Sequence, residues 1–206
     1  ALLELGGRHE NIVSLDADLV LDTGQIPFRD AYPFRFVECG IAEQDMVSQA
    51  GGMALNGLLP VVHSFSCFLT TRPNEQIYNN ATEHTKIIYV GSLAGLVPGG
   101  PGHSHQSVRD IVTMNGIPGL TLVEPCCEAE VAAAMRWAVE DNPTSTYLRL
   151  VSIPCEIPFK LPNNYKLVPG KGTVLKEGTE GVLIGYGPVS LANAIRAAND
   201  LEKNHG

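Results

Sequence analysis

Short apolar runs alternate with helix-period stretches along most of this 206-residue chain, and that alternation limits the fold more than any other feature. Strands separated by helices cannot pair through tight hairpins. They pair in parallel through crossover helices, which pack back on the sheet and bury it on both faces. The order reads β, β, α, β, α, β, α, β, α, β, after an opening helix over Ala1–Gly7. Asn11–Leu19 and Phe34–Cys39 read as strands, Ile41–Asn56 as a helix closed by Gly57, and Leu58–Phe65 as the next strand. Helix Asn74–Glu83, strand Lys86–Val90, a glycine-rich loop and a helix near Ser107–Asn115 follow. Strand Leu120–Val123, helix Glu128–Glu140 and strand Tyr147–Val151 complete the unit. The predicted class is α/β, a mostly parallel sheet covered by helices on both faces.

Residues 1–153 therefore form one domain. Residues 154–171, rich in proline and polar side chains, read as a linker. Residues 172–206 offer a hairpin, a strand over Gly181–Tyr186 and one helix, too little to bury a core alone. Both ends of the chain look cut, as in a fragment. The net charge of −8 disfavours nucleic acid or anionic membranes, which need clustered Lys and Arg. Five cysteines without a CxxC pair signal neither a disulfide framework nor a zinc site, and no apolar run approaches the ~20 residues of a membrane span. A cytoplasmic protein with reduced thiols is expected.

Three groups of residues carry candidate chemistry. Glu43 shares a helix face with Val47, Ala50 and Ala54, where a carboxylate is costly without a partner or a purpose. The plain alternative is a wet acid favouring the helix dipole. Phe65 and Phe68 stand three apart at a strand end; if the chain turns helical there, both rings line one pocket, and otherwise they are core. The loop from Gly95 to Gln106 has enough glycine for close approach to a ligand, and it carries His103 and His105. These histidines could contact a substrate, begin a His-x-His metal site that lacks an evident third ligand, or simply be solvated.

The stretch Phe36-Val-Glu-Cys-Gly-Ile-Ala-Glu43-Gln, then Gly52-Met-Ala-Leu-Asn-Gly, then Pro60-Val-Val-His-Ser-Phe65-Ser-Cys-Phe68 is similar to the pyrimidine-domain signature of transketolases and 1-deoxyxylulose-5-phosphate synthases. Ser104-His105-Gln106 and Val123-Glu-Pro extend the match, which covers roughly residues 11–150. The resemblance implies the C-terminal half of such an enzyme, with residues 172–206 as the truncated start of the transketolase C-terminal domain. It implies thiamine diphosphate as cofactor, with Glu43 bonded to a pyrimidine ring nitrogen and Phe65 and Phe68 stacked on that ring. A proton shared at Glu43 favours the imino form of the pyrimidine's amino group, which can then take the thiazolium C2 proton. Asp18 matches an acidic position near the cofactor, although a strand-end Asp is also an ordinary turn residue. His105 matches a histidine that contacts the donor sugar, with His103 as a second candidate.

The sequence departs from that pattern in informative places. The arginine that grips a sugar phosphate in transketolases is replaced by Ser152, with Arg149 three residues early, and an aspartate expected before the glycine-histidine loop is replaced by Pro101. No Gly-Asp-Gly motif occurs, so Mg²⁺ and the diphosphate are expected to be bound by a partner chain or a missing half. The leading expectation is a transketolase-like transferase moving a two-carbon ketol unit between sugars or sugar phosphates, active as a homodimer or heterotetramer. The beta subunit of a 2-oxoacid or acetoin dehydrogenase, and a non-catalytic module keeping the fold, are the alternatives.

Overall fold

The computed structural model describes residues 1–205. Six strands form one all-parallel sheet: β1 (Ile12–Asp16), β2 (Phe36–Glu38), β3 (Leu59–Phe65), β4 (Ile88–Ser92), β5 (Thr121–Val123) and β6 (Thr146–Arg149), in spatial order β2-β1-β3-β4-β6-β5. Helices α1 (Leu2–Arg8), α2 (Val20–Thr23), α3 (Ile26–Ala31), α4 (Glu43–Leu55), α5 (Ser66–Leu69), α6 (Asn74–Thr82), α7 (Asp110–Asn115), α8 (Glu128–Glu140) and α9 (Pro188–His205) complete the described chain. The expected α/β class is what the chain adopts.

Alternation along each strand builds two cores. Val13, Leu15, Val62, Tyr89 and Tyr147 face α4, α6 and α7, where Met46, Val47, Ala50, Ile77 and Met114 meet them. Ile12, Val61, Ile88, Val90 and Leu148 face the other way onto Leu5 of α1, Phe28 of α3 and Ala134, Met135, Ala138 and Val139 of α8. Burial on both faces explains why β1, β3 and β4 read as continuous apolar runs. α4 and α6 approach closely enough for the Asn80 amide to donate to the Val47 carbonyl at 3.0 Å. A Cβ at Gly51 would run into that amide, so glycine inside this helix is what lets α6 lock α4 in place.

Several boundaries differ from expectation for local reasons. The first strand stops at Asp16 because Asp18 takes a left-handed backbone (φ 62°) and α2 begins at Val20; α2 and α3 were not expected. The hairpin and the strand over Gly181–Tyr186 do not form. Val182 and Ile184 are 84% and 91% exposed, since a lone strand-like segment has no edge to pair with. Residues 154–171 lack regular structure and lie against α8: the Tyr165 hydroxyl bonds the Glu130 carboxylate, and Leu167 packs on the α8 side of the core. Among the described residues no helix is long and apolar enough to cross a membrane.

His63, in the middle of the sheet on β3, bonds only a serine hydroxyl, Ser92 Oγ at 2.9 Å, and burial pushes its imidazole down to about 3. The unfolded chain, with an ordinary histidine near 6.5, takes up the proton first; stability is therefore full above about pH 6.5 and is lost as pH falls toward 3. Between pH 7 and pH 5 the wild type should lose about 2 kcal/mol more than His63→Gln in urea denaturation. Parallel pH profiles would mean that His63 is reached by water in the folded chain.

Candidate functional site

All strands run parallel, so the chain leaves each of them on the same edge of the sheet, and the candidate residues gather there. The order of strands reverses between β1 and β3, the position where a crevice opens outside the carboxyl ends of an open α/β sheet. The segment leaving β2 leads to Glu43, while β3 ends at Phe65 and the segment leaving it carries Phe68.

Directly after β3 the chain makes the single helical turn α5, which brings both phenylalanines to one side. Their ring centroids lie 6.0 Å apart, with the planes tilted by 35°. The imidazole of His105 meets both rings edge-on, 5.2 Å from Phe68 and 6.1 Å from Phe65. Its Nδ1 is held by the Ser104 hydroxyl at 2.9 Å. The loop that carries it is closed at the neck by paired backbone bonds between Gly95 and Ser107, at 2.9 and 3.0 Å.

Ser66, between the two rings in sequence, points inward instead. Its hydroxyl lies 2.7 Å from that of Ser107, 2.6 Å from that of Tyr147 and 3.2 Å from Asp110 Oδ2. Asp110, 1% exposed, also accepts from the Tyr147 hydroxyl at 3.0 Å and from Arg149 Nε at 2.6 Å. Burial, reinforced by the Asp110 charge, pushes the Tyr147 hydroxyl well above its usual range, which keeps it a donor. A Cβ at Gly91 would strike the Tyr147 hydroxyl, so glycine on β4 makes the room for this cluster. Arg149 also reaches Glu124 at 2.8 Å; burial raises the Glu124 carboxyl and the guanidinium pulls it back.

Glu43 opens α4 and is 3% exposed. This excludes the wet-acid alternative. Arg72, four residues after Phe68, answers the buried charge: its Nη1 lies 2.6 Å from Glu43 Oε1, and its guanidinium carbon lies 3.9 Å from the centroid of the Phe68 ring. One planar group thus touches both the carboxylate and the aromatic face.

The family described as "Transketolase, pyrimidine binding domain" matches residues 1–152. The chain belongs to this transketolase family. It is 34% identical to a putative uncharacterized transketolase family protein of Sinorhizobium fredii, over 99% of this chain and 58% of that protein. It is also 34% identical to a 1-deoxy-D-xylulose-5-phosphate synthase of Desulfotalea psychrophila, over 98% of this chain and 31% of that enzyme. Among solved structures, a split-gene transketolase described as an inactive β4 tetramer superposes with a TM-score of 0.82 at 31% identity, covering 98% of this chain and 64% of that one. The chain thus spans only part of the length of these relatives.

Within this transketolase domain, the structure brings together Glu43, Phe65, Phe68 and His105 through the contacts above. His103 is exposed and lies outside the ring cluster. Asp18 is an exposed turn residue whose backbone N–H donates to Glu38 Oε1 at 2.8 Å. Among the described residues no three His, Cys, Asp or Glu side chains are placed to hold a metal ion. Sequence reasoning missed Arg72 and Asp110. The i, i+4 spacing from Phe68 to Arg72 across a short helical turn was a usable signal; nothing local marked Asp110 as buried.

The Asp110 cluster is open to a direct stability test. Asp110→Asn should cost about 2–3 kcal/mol, because a charged acceptor facing Arg149 is lost, whereas Tyr147→Phe should cost about 1 kcal/mol. Urea denaturation at pH 7 measures both. A smaller loss for Asp110→Asn than for Tyr147→Phe would mean that Glu124 alone satisfies Arg149.

Proposed function

We propose that this chain is the pyrimidine-binding half of a thiamine-diphosphate-dependent transketolase, working with a diphosphate-binding half to transfer a two-carbon ketol unit between sugars or sugar phosphates. One observation carries the reading: the Arg72 guanidinium contacts Glu43 and Phe68 together, so a buried carboxylate and an aromatic face serve the same small volume at the crevice. An aminopyrimidine fits that donor set. Its ring nitrogen suits the carboxylate, and its flat face suits the phenylalanine.

When bound, the cofactor supplies the carbon nucleophile, and this chain supplies position and proton control. Glu43 would hold a proton at the pyrimidine ring nitrogen, which would tune the neighbouring amino group as a base. Phe65 and Phe68 fix the ring plane and exclude water. His105, braced on both rings, presents its imidazole to the donor sugar as a hydrogen-bonding or proton-shuttling group, with His103 farther out on the same loop. Asp18, at the turn after β1, would be the acidic residue near the cofactor that the resemblance implies. Arg149 is engaged by Asp110 and Glu124, and position 152 is a serine, so a phosphate grip on the substrate has to come from elsewhere.

The diphosphate and its Mg²⁺ belong to the partner half, since this sequence has no Gly-Asp-Gly motif. The related split-gene transketolase solved as an inactive β4 tetramer supports an active form that needs both halves, as a homodimer of joined halves or a heterotetramer. Five unpaired cysteines fit a reducing, cytoplasmic setting.

The test needs no knowledge of the substrate. In the complex rebuilt with its diphosphate-binding half, C2-proton exchange of bound thiamine diphosphate in deuterated buffer should slow by about a hundredfold or more in Glu43→Gln. Equal rates would make Glu43 a packing residue and remove the enzymatic reading.

A further inference from the structure

Arg72 satisfies the two contacts that the proposed cofactor site has to offer. Its guanidinium is flat and cationic, lies over the Phe68 face at 3.9 Å and donates to the buried Glu43 at 2.6 Å. An aminopyrimidine with a protonated ring nitrogen would be flat, would stack on Phe68 and would donate to Glu43. The two cannot occupy that space together.

The backbone of Arg72 is fixed. Its N–H donates to the Phe68 carbonyl at 3.0 Å, its own carbonyl accepts from Gln44 Nε2 at 3.2 Å, and Pro73 follows. The side chain is held less firmly: it is 41% exposed, so the guanidinium has an open path into solvent. The pinned backbone delivers the guanidinium to the site, and the open side gives it an exit.

We infer that Arg72 is a resident stand-in for the pyrimidine ring, filling the Glu43–Phe68 site in the cofactor-free chain and leaving when the cofactor enters. This rests on the reading of Glu43 and Phe68 as the pyrimidine site. The stand-in solves a physical problem of a half-site. A carboxylate buried at a surface that awaits a ligand is costly if left unpaired, and its neighbouring ring would otherwise face water. A tethered guanidinium covers both until a better donor arrives. It also lowers apparent cofactor affinity, because only the fraction of chains with Arg72 turned out can bind.

The experiment is a titration of thiamine diphosphate with Mg²⁺ into the complex with the diphosphate-binding half, followed by calorimetry without substrate. Arg72→Gln should bind about tenfold tighter than wild type, the size expected when one stacked, charge-assisted competitor is removed. Arg72→Lys keeps a charge for Glu43 but cannot stack as a plane, and should bind about threefold tighter; it serves if the glutamine variant does not fold. Side-chain NMR of the wild type gives an independent readout. The Arg72 Nε–H signal should be displaced by the Phe68 ring in the free chain and return to an ordinary position on cofactor binding.

Unchanged or weaker binding in both Arg72 variants, with binding still impaired in Glu43→Gln, would overturn the stand-in and leave the pyrimidine site intact. So would a ring-shifted Arg72 signal that persists in the cofactor complex. If neither the Arg72 variants nor Glu43→Gln alter affinity, the pyrimidine site itself is misplaced and the inference falls with it.

Discussion

A single buried carboxylate, that of Asp110, ties the turn after β3 and the histidine loop to the end of β6. It accepts from Arg149 at the end of β6, from Tyr147 on the same strand, and from Ser66 at the start of the turn after β3. Ser66 in turn meets Ser107, the neck residue of the histidine loop. Phe65 and Phe68 flank one member of this cluster and His105 stands two residues from another, so their meeting follows from bonds made beneath them. An anion so deeply placed is tolerated because a guanidinium and two hydroxyls surround it, and the low local polarity that makes the unpaired group costly also strengthens the satisfied cluster.

The sheet supplies the other half of the geometry. Parallel strands deliver their following loops to one edge, and the reversal of order between β1 and β3 separates the loops enough to leave a crevice. α4 starts at that crevice, with its length running back over the core formed by Met46, Val47 and Ala50. The Asn80–Val47 bond and the space at Gly51 fix its position, and with it the depth at which Glu43 is held. Glu43 is therefore a buried carboxylate at a helix start, stabilised by the α4 dipole on one side and Arg72 on the other.

Much of this was legible beforehand. The residues of α8 follow a clear helical stripe, and the helix forms over the expected span; β3, α4 and α6 agree to within one or two residues at each end. Such agreement comes from patterns carried within a dozen neighbouring residues. The tail strand failed for the complementary reason: Gly181–Tyr186 has strand-like composition, but a strand exists only when another edge pairs with it. The short α2 and α3 also escaped notice, each being too short to show a period.

The sequence by itself determined the α/β class, the family and the identity of Glu43, Phe65, Phe68 and His105 as the residues to watch, because period and motif are properties of near neighbours. Only the tertiary structure decided that Glu43 is buried, that Arg72 answers it while covering Phe68, and that Asp110 gathers the strand ends. The Glu43–Arg72 pair joins residues 29 positions apart, and the Asp110 bonds join residues 37 to 44 apart. Burial and partnership across such separations depend on how the whole sheet is wound, and no local pattern encodes them.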